Sequence, residues 1–283
     1  MVPYVGHPDV IIVSNRGPVS FDRDDSGEVV ATRGGGGLVS SLAPMVEGTG
    51  ATWLAAAMTD DDRSKAAEGT SDVDGFRLRL IDIAPDTYRA GYDTISNSTL
   101  WFLHHGLWDL PRRPRFDRRW HEAWHGYRAF NDQIATAVAD EAPEGGIVLV
   151  QDYHLALLGS MLAEARPDLR TVHFSHTPFC SPDELRILPE AVAHELMVGL
   201  ASATARGFHT ERWAERFRAC AQMVLGTEPT TFVSPLAPDR SDLERVADSD
   251  DSKREATSIE QLVVDRKMIL RVDRIELSKN IHR

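Results

Sequence analysis

Apolar side chains fall in two patterns that alternate along this chain. Short runs at Val10–Val13, Ile147–Val150, Thr171–Phe174, Thr231–Val233 and Ile269–Val272 are rich in β-branched residues and lack a clean polar alternation. Such runs suit strands buried on both faces, as in a parallel sheet covered by helices. Between them, Phe116–Glu141, Leu155–Ala165, Asp183–Leu200 and Glu211–Met223 predict helices. The order strand, helix, strand predicts an α/β fold, a Rossmann-like doubly wound parallel sheet.

The stretch 239–267 breaks the pattern. It contains DRSDLERVADSDDSKRE, charged and poor in large apolar residues, and reads as an exposed connector. A fresh strand candidate at Ile269–Val272 follows, and the sequence stops at Arg283 before any helix completes a second unit. A lone strand cannot bury both faces. The expectation is one domain over 1–238, a connector over 239–267, and the truncated start of another α/β domain over 268–283.

Charge narrows the function classes. There are 43 acidic against 31 basic residues, a net −12; this argues against nucleic-acid partners, which need a positive field. Any site for an anionic substrate must then be built locally from a few arginines and backbone amides. Two cysteines, Cys180 and Cys220, make neither a disulfide framework nor a thiolate metal site, and read as structural thiols. The N-terminal apolar run is too short for a signal peptide or a membrane span. A cytoplasmic protein acting on small molecules, with no membrane partner, is the expectation; homo-oligomerisation is left open.

Candidate chemistry lies where strands end, because in a parallel sheet those positions face the ligand crevice. After the first strand comes Ser14-Asn15-Arg16-Gly17-Pro18, where Arg16 could hold a phosphate in a bidentate fork, although a surface arginine beside a Gly-Pro turn would read the same. Arg33-Gly34-Gly35-Gly36-Gly37 then runs into a helical pattern, so backbone amides could approach a phosphate. The spacing is not that of a dinucleotide fingerprint. Gln151-Asp152-Tyr153-His154-Leu155 places Asp152 at another strand end, to accept from sugar hydroxyls or to cap a helix. His176 ends a further strand, in His173-Phe174-Ser175-His176-Thr177-Pro178, and could contact a hydroxyl or developing charge. Arg274 and Lys279 follow the last strand candidate and could bracket a diphosphate.

His121-Glu122-Ala123-Trp124-His125 matches the H-E-x-x-H pattern of zinc proteases. It sits in a helix whose Trp120, Trp124, Tyr127 and Phe130 recur at three-to-four spacing, which puts the aromatics inward and the histidines elsewhere. No third ligand follows, so no metal site is assigned, there or at His104-His105.

Taken in order, SNRGPV, GGGGLVSSL, YDTISNSTLW, QDYHLALL, HFSHTPF, GFHTE and RVDRIELSKNI resemble the trehalose-6-phosphate synthase family of retaining glycosyltransferases, from Ser14 to Ile281. The resemblance implies the N-terminal lobe of a two-lobed GT-B enzyme, with only the start of the C-terminal lobe. It also implies transfer of glucose from a nucleotide sugar such as UDP-glucose to glucose 6-phosphate, without cofactor or metal, in a chain inactive alone. By motif, Arg16, Tyr92, Trp101 and Asp152 would bind the acceptor. Gly36, Gly37, His176, Arg274 and Lys279 would bind the donor, and His176, Asp152, Arg274 and Lys279 would serve the reaction. Three departures bear on the acceptor: Gln151 stands where the family has histidine, Cys180 where proline is common, and Ile275-Glu276-Leu277-Ser278-Lys279-Asn280 where L-D-Y-x-K-G is usual. A glucosylglycerol-phosphate synthase is the nearest alternative, and a non-catalytic sugar-phosphate-binding module the alternative of another class.

Overall fold

The computed structural model describes residues 10–34, 37–109, 113–237 and 240–280. The chain divides into two compact units, Met1–Pro235 and Leu236–Arg283.

The first unit opens with β1 (Val10–Ser14), the hairpin β2 (Val19–Arg23) and β3 (Val29–Arg33), and α1 (Gly37–Val46). There follow β4 (Thr52–Ala56), α2 (Asp60–Glu68), β5 (Ser71–Val73), β6 (Phe76–Ile81) and α3 (Pro85–Arg89). A π-helix over Ala90–Leu100 leads into α4 (Trp101–His105), and α5 (Arg118–Glu141) crosses back to β7 (Ile147–Gln151). Then come a 3₁₀ turn (Tyr153–Leu155), α6 (Leu158–Ala165), β8 (Arg170–Ser175), α7 (Pro182–Leu185), α8 (Glu190–Ala201), β9 (Ala205–Phe208), α9 (Glu211–Leu225) and β10 (Thr231–Val233).

The main sheet has the order β10-β9-β8-β7-β1-β4-β6-β5. Every pair is parallel except β5 with β6. Outward from β1 the strands run β7, β8, β9 and β10 on one side and β4, β6 and β5 on the other, which makes the sheet doubly wound, as the sequence pattern predicts. β1 is buried along its whole length because its alternate side chains enter two cores. Ile11 and Val13 pack with Phe130, Ile134 and Val138 of α5, whereas Val10 and Ile12 pack with Trp53, Phe76 and Leu78. A third, aromatic core gathers Trp120, Trp124 and Tyr127 of α5 with Leu196 and Met197 of α8 and Phe208 and Phe217.

Local chemistry explains where the helices depart from their predicted bounds. Asp117 caps α5 by accepting from the Trp120 amide at 3.0 Å, so the helix begins at Arg118 rather than Phe116. The helix expected over Asp183–Leu200 divides into α7 and α8, because Pro189 has extended backbone and starts the second helix as its N-cap.

The second unit holds α10 (Arg240–Ala247), α11 (Asp250–Val263) and a 3₁₀ turn at Leu277–Lys279. The strand expected at Ile269–Val272 does not form. No strand among the described residues of this unit offers it a ladder, so the segment stays irregular, with Ile269 98% exposed. Among the described residues, no helix is long and apolar enough to cross a membrane.

Candidate functional site

The topological switch point lies between β1 and β7, and their C-terminal ends carry Arg16 and Asp152. A short internal lattice fixes the turn after β1. Ser14 Oγ accepts from Trp53 Nε1 at 2.8 Å and donates to the Arg16 carbonyl at 2.5 Å, which sends the Arg16 side chain outward. The hairpin then folds back over this turn, with the Gly34 amide donating to the Pro18 carbonyl at 2.7 Å. A side chain at Gly34 would bring its Cβ to 3.1 Å from the Gly17 carbonyl oxygen, so the glycine is what allows this approach. Arg16, Gly17, Arg33, Gly34, Thr59 and Asp62 line a cleft of about 330 Å³, within the range of small-ligand sites. Gly36 lies outside the described residues; Gly37 is the exposed first residue of α1.

A column of rings stands at the Arg16 side chain. Tyr88 stacks on Tyr92 at 5.3 Å between centroids, Tyr92 on His154 at 5.6 Å, and His154 on Tyr153 at 4.2 Å. The Arg16 guanidinium lies 5.8 Å from the Tyr92 centroid and donates to its hydroxyl at 3.2 Å. Burial, reinforced by the Arg16 charge, lowers the His154 pKa to about 3. Arg16 therefore presents a cation against neutral aromatic surface, suited to a phosphate joined to a sugar ring. The π-helix supplies Tyr92 and fits closely on α5, where a Cβ on Gly126 would fall 2.5 Å from that of Ala90. Trp101 stands nine residues beyond Tyr92, its ring against Phe102 and His105, and is not in ring contact with the Tyr92 column.

Asp152 and His176 come together at the neighbouring strand ends. The Asp152 carboxylate accepts from the His176 amide at 3.2 Å and from Thr177 Oγ1 at 3.4 Å, so it binds across strands instead of capping the turn that follows it. Burial nevertheless raises its pKa to about 6. His176 Nε2 lies 2.9 Å from Gln151 Oε1, and burial, with the neighbouring His209, lowers its pKa to about 4. The imidazole is therefore neutral near pH 7. With Nε2–H given to Gln151, Nδ1 is an acceptor, better matched to a sugar hydroxyl than to an anion. Gln151 thus fixes the tautomer of His176.

Arg274 and Lys279, in the second unit, meet at one carboxylate. The Glu276 carboxylate forms ion pairs with Arg274 at 3.2 Å and with Lys279 Nζ at 3.5 Å. In α5, Trp120, Trp124, Tyr127 and Phe130 are buried, His121 and His125 are exposed, and Glu122 pairs with Arg118 at 3.2 Å. No group of three possible metal ligands gathers among the described residues. Cys180 and Cys220 are both buried, and burial pushes the Cys180 thiol up, away from the reactive thiolate.

Two parts of the site escape sequence reasoning. Asn15 and Tyr88 hydrogen-bond at 3.1 Å behind the Arg16 turn, a pairing across 73 residues that leaves no local signal. Asp62, 1% exposed, accepts from the amides of Phe21 and Met58 at 2.8 Å and of Thr59 at 3.1 Å, joining the hairpin to α2 at the cleft. Its signal is readable as the Thr59-x-x-Asp62 capping box.

The profile of glycosyltransferase family 20 matches residues 8–283. The trehalose-6-phosphate synthase of Mycobacterium avium is 30% identical over 98% of this chain and 59% of its own length. That of Mycolicibacterium smegmatis is 29% identical, with 98% and 57% covered; the chain thus spans under two thirds of these relatives. Among solved structures, the N-terminal domain of Candida albicans trehalose-6-phosphate phosphatase superposes with a TM-score of 0.74 at 21% identity, covering 94% of this chain and 57% of that one. A UDP-forming trehalose-phosphate synthase from Burkholderia xenovorans, in complex with glucose 6-phosphate, gives 0.70 at 20% identity over 91% and 56%.

Proposed function

Because the chain belongs to glycosyltransferase family 20, we propose that it is the acceptor-binding lobe, residues 1–238, of a retaining GT-B enzyme that moves glucose from UDP-glucose to glucose 6-phosphate, giving trehalose 6-phosphate. On this reading 268–283 begins the nucleotide-sugar lobe. The observation that carries the proposal is the placement of Arg16 and Asp152 at the ends of the two strands that flank the switch point, a cation for a phosphate and a carboxylate for sugar hydroxyls, with the Tyr92 ring at the arginine.

Arg16 holds the acceptor phosphate, Tyr92 and Trp101 line its sugar, and Asp152 accepts from its hydroxyls. Gly36 and Gly37 bring backbone close to the donor, and His176 contacts the donor sugar through a hydroxyl. Arg274 and Lys279, already gathered on Glu276, bind the donor diphosphate. In the reaction the bond from the anomeric carbon to the diphosphate oxygen breaks and a bond to the acceptor hydroxyl oxygen forms on the same face. The hydroxyl proton passes to the departing phosphate. Negative charge builds on that phosphate, and two preorganised cations lower the barrier to its departure.

The fold it shares with the N-terminal domain of a trehalose-6-phosphate phosphatase supports a second reading, a sugar-phosphate-binding module that performs no transfer. The enzyme that carries this lobe is expected to release UDP from UDP-glucose when glucose 6-phosphate is added, and not when glycerol 3-phosphate is. Release with glycerol 3-phosphate alone moves the assignment to a glucosylglycerol-phosphate synthase; release with neither leaves the binding module.

A further inference from the structure

Asp152 has φ +66° and ψ 173°, a region of backbone space that is essentially confined to glycine. A β-carbon there is strained, so the surrounding structure must impose the conformation. We infer that Tyr127, Asn131 and His173 are the positioning residues that force this elbow from behind, aiming the Asp152 carboxyl at the crevice. The inference rests on the proposed sugar-phosphate site for what the elbow is for, not for the elbow itself.

The backbone groups around the elbow show how it is held. The Asp152 amide donates to the Phe174 carbonyl at 2.8 Å, and the Asp152 carbonyl accepts from the Leu155 amide at 3.2 Å and from His173 Nε2 at 3.1 Å. A carbonyl can only accept, so Nε2 carries the proton of a neutral imidazole. The Tyr153 carbonyl accepts from the Tyr127 hydroxyl at 2.6 Å, and that oxygen accepts from the Ala156 amide at 3.1 Å. Asn131 donates to the His154 carbonyl at 3.2 Å and accepts from the Leu157 amide at 3.2 Å. Tyr127 and Asn131 are fully buried on one face of α5, one turn apart, and His173 is 2% exposed. Buried polar groups retained at a strained backbone, each meeting one of its carbonyls, form a cradle rather than ordinary core.

The strain is read by comparing Asp152→Gly with Asp152→Ala, which remove the same carboxylate and differ only in the β-carbon. Ordinarily alanine is the more stable of the two. Here the glycine variant is expected to melt about 3–8 °C above the alanine variant. An alanine variant that melts as high or higher overturns the inference. The positioning role is read in affinity for glucose 6-phosphate well below the melting temperature. His173→Leu is expected to weaken binding about tenfold, while His173→Gln, which keeps a donor, restores most of it. Unchanged affinity in His173→Leu removes His173 from the cradle. Should the unsubstituted chain fail to bind glucose 6-phosphate, the proposed function fails, and the melting order of the two Asp152 variants still decides the elbow.

Discussion

Gly199→Ala is expected to lower the stability of the protein by about 3 kcal/mol or more. Gly199 lies on α8 where it crosses α6, and an added Cβ would sit 2.4 Å from the Ala156 carbonyl oxygen and 2.7 Å from Leu157 Cα. Both are backbone atoms, so no side chain can rotate away. The fit is reciprocal, because a Cβ on Gly159 would meet the Gly199 carbonyl oxygen at 2.4 Å. A methyl group must therefore push the two helices apart in a fully packed core. Ala156 and Leu157 also end the segment tied to Tyr127 and Asn131, so the same displacement is expected to reach Asp152 and weaken sugar-phosphate binding. Urea unfolding at pH 7 measures the loss, with Gly37→Ala as a control whose Cβ would meet none of the described residues within 4 Å. A Gly199→Ala variant within about 0.5 kcal/mol of the parent, the usual scale of surface changes, contradicts the close contact.

Acidification is expected to unfold the protein before most carboxylates titrate. Burial lowers the pKa of His104 to about 3 and of His173 to about 4, and each is only 2% exposed. His154 at about 3 and His176 at about 4 are half-buried and add less. The folded state thus keeps these rings neutral where the unfolded chain protonates them, from about pH 6.5 downward. Their contribution is fully present above pH 6.5 and is lost as pH falls towards about 4 and then 3. Asp152 works in the opposite sense: its raised pKa stabilises the fold below the ordinary carboxylate range and that contribution is lost as pH rises through about 6. Near pH 5 the balance is about two to three protons taken up on unfolding, a slope of roughly 3–4 kcal/mol per pH unit. Urea unfolding at pH 7, 6, 5 and 4.5 reads this slope directly. A free energy that stays level from pH 7 to pH 5 contradicts neutral buried histidines.

The elements legible in the sequence were those whose signal is local. β1 and β7 stand out as unbroken apolar runs that suit strands in the middle of a covered sheet, whereas β8 and β10 show through their β-branched and aromatic residues, although β10 is the exposed edge of the sheet. β9 does not, since Arg206 sits in it; this arginine is 3% exposed, donates to the Leu200 carbonyl at 2.5 Å and is lowered by burial to a pKa of about 10. The π-helix over Ala90–Leu100 is likewise silent, because AGYDTISNSTL carries no helical apolar period. At the opposite extreme, Ile269–Val272 has a strand's composition and no ladder to join.

The site divides in the same way. Arg16, Asp152 and His176 are legible because a strand end in a doubly wound sheet is a predictable place. The stacking of Tyr92 on His154 depends on a contact across more than sixty residues, and the role of Gln151 depends on which nitrogen of His176 it meets. The glycine-only backbone at Asp152 could not be read at all, because aspartate gives no sign of it.

On the proposed function, the crevice between β1 and β7 takes glucose 6-phosphate, with Arg16 on its phosphate. Calorimetric titration of the chain with glucose 6-phosphate tests this most directly, set beside glycerol 3-phosphate and the Arg16→Ala variant. Glucose 6-phosphate is expected to bind in preference to glycerol 3-phosphate. Arg16→Ala is expected to lose about 10- to 150-fold in affinity, the cost of a charge-assisted hydrogen bond, at an unchanged melting temperature. Equal affinity in the variant, or tighter binding of glycerol 3-phosphate, would contradict it.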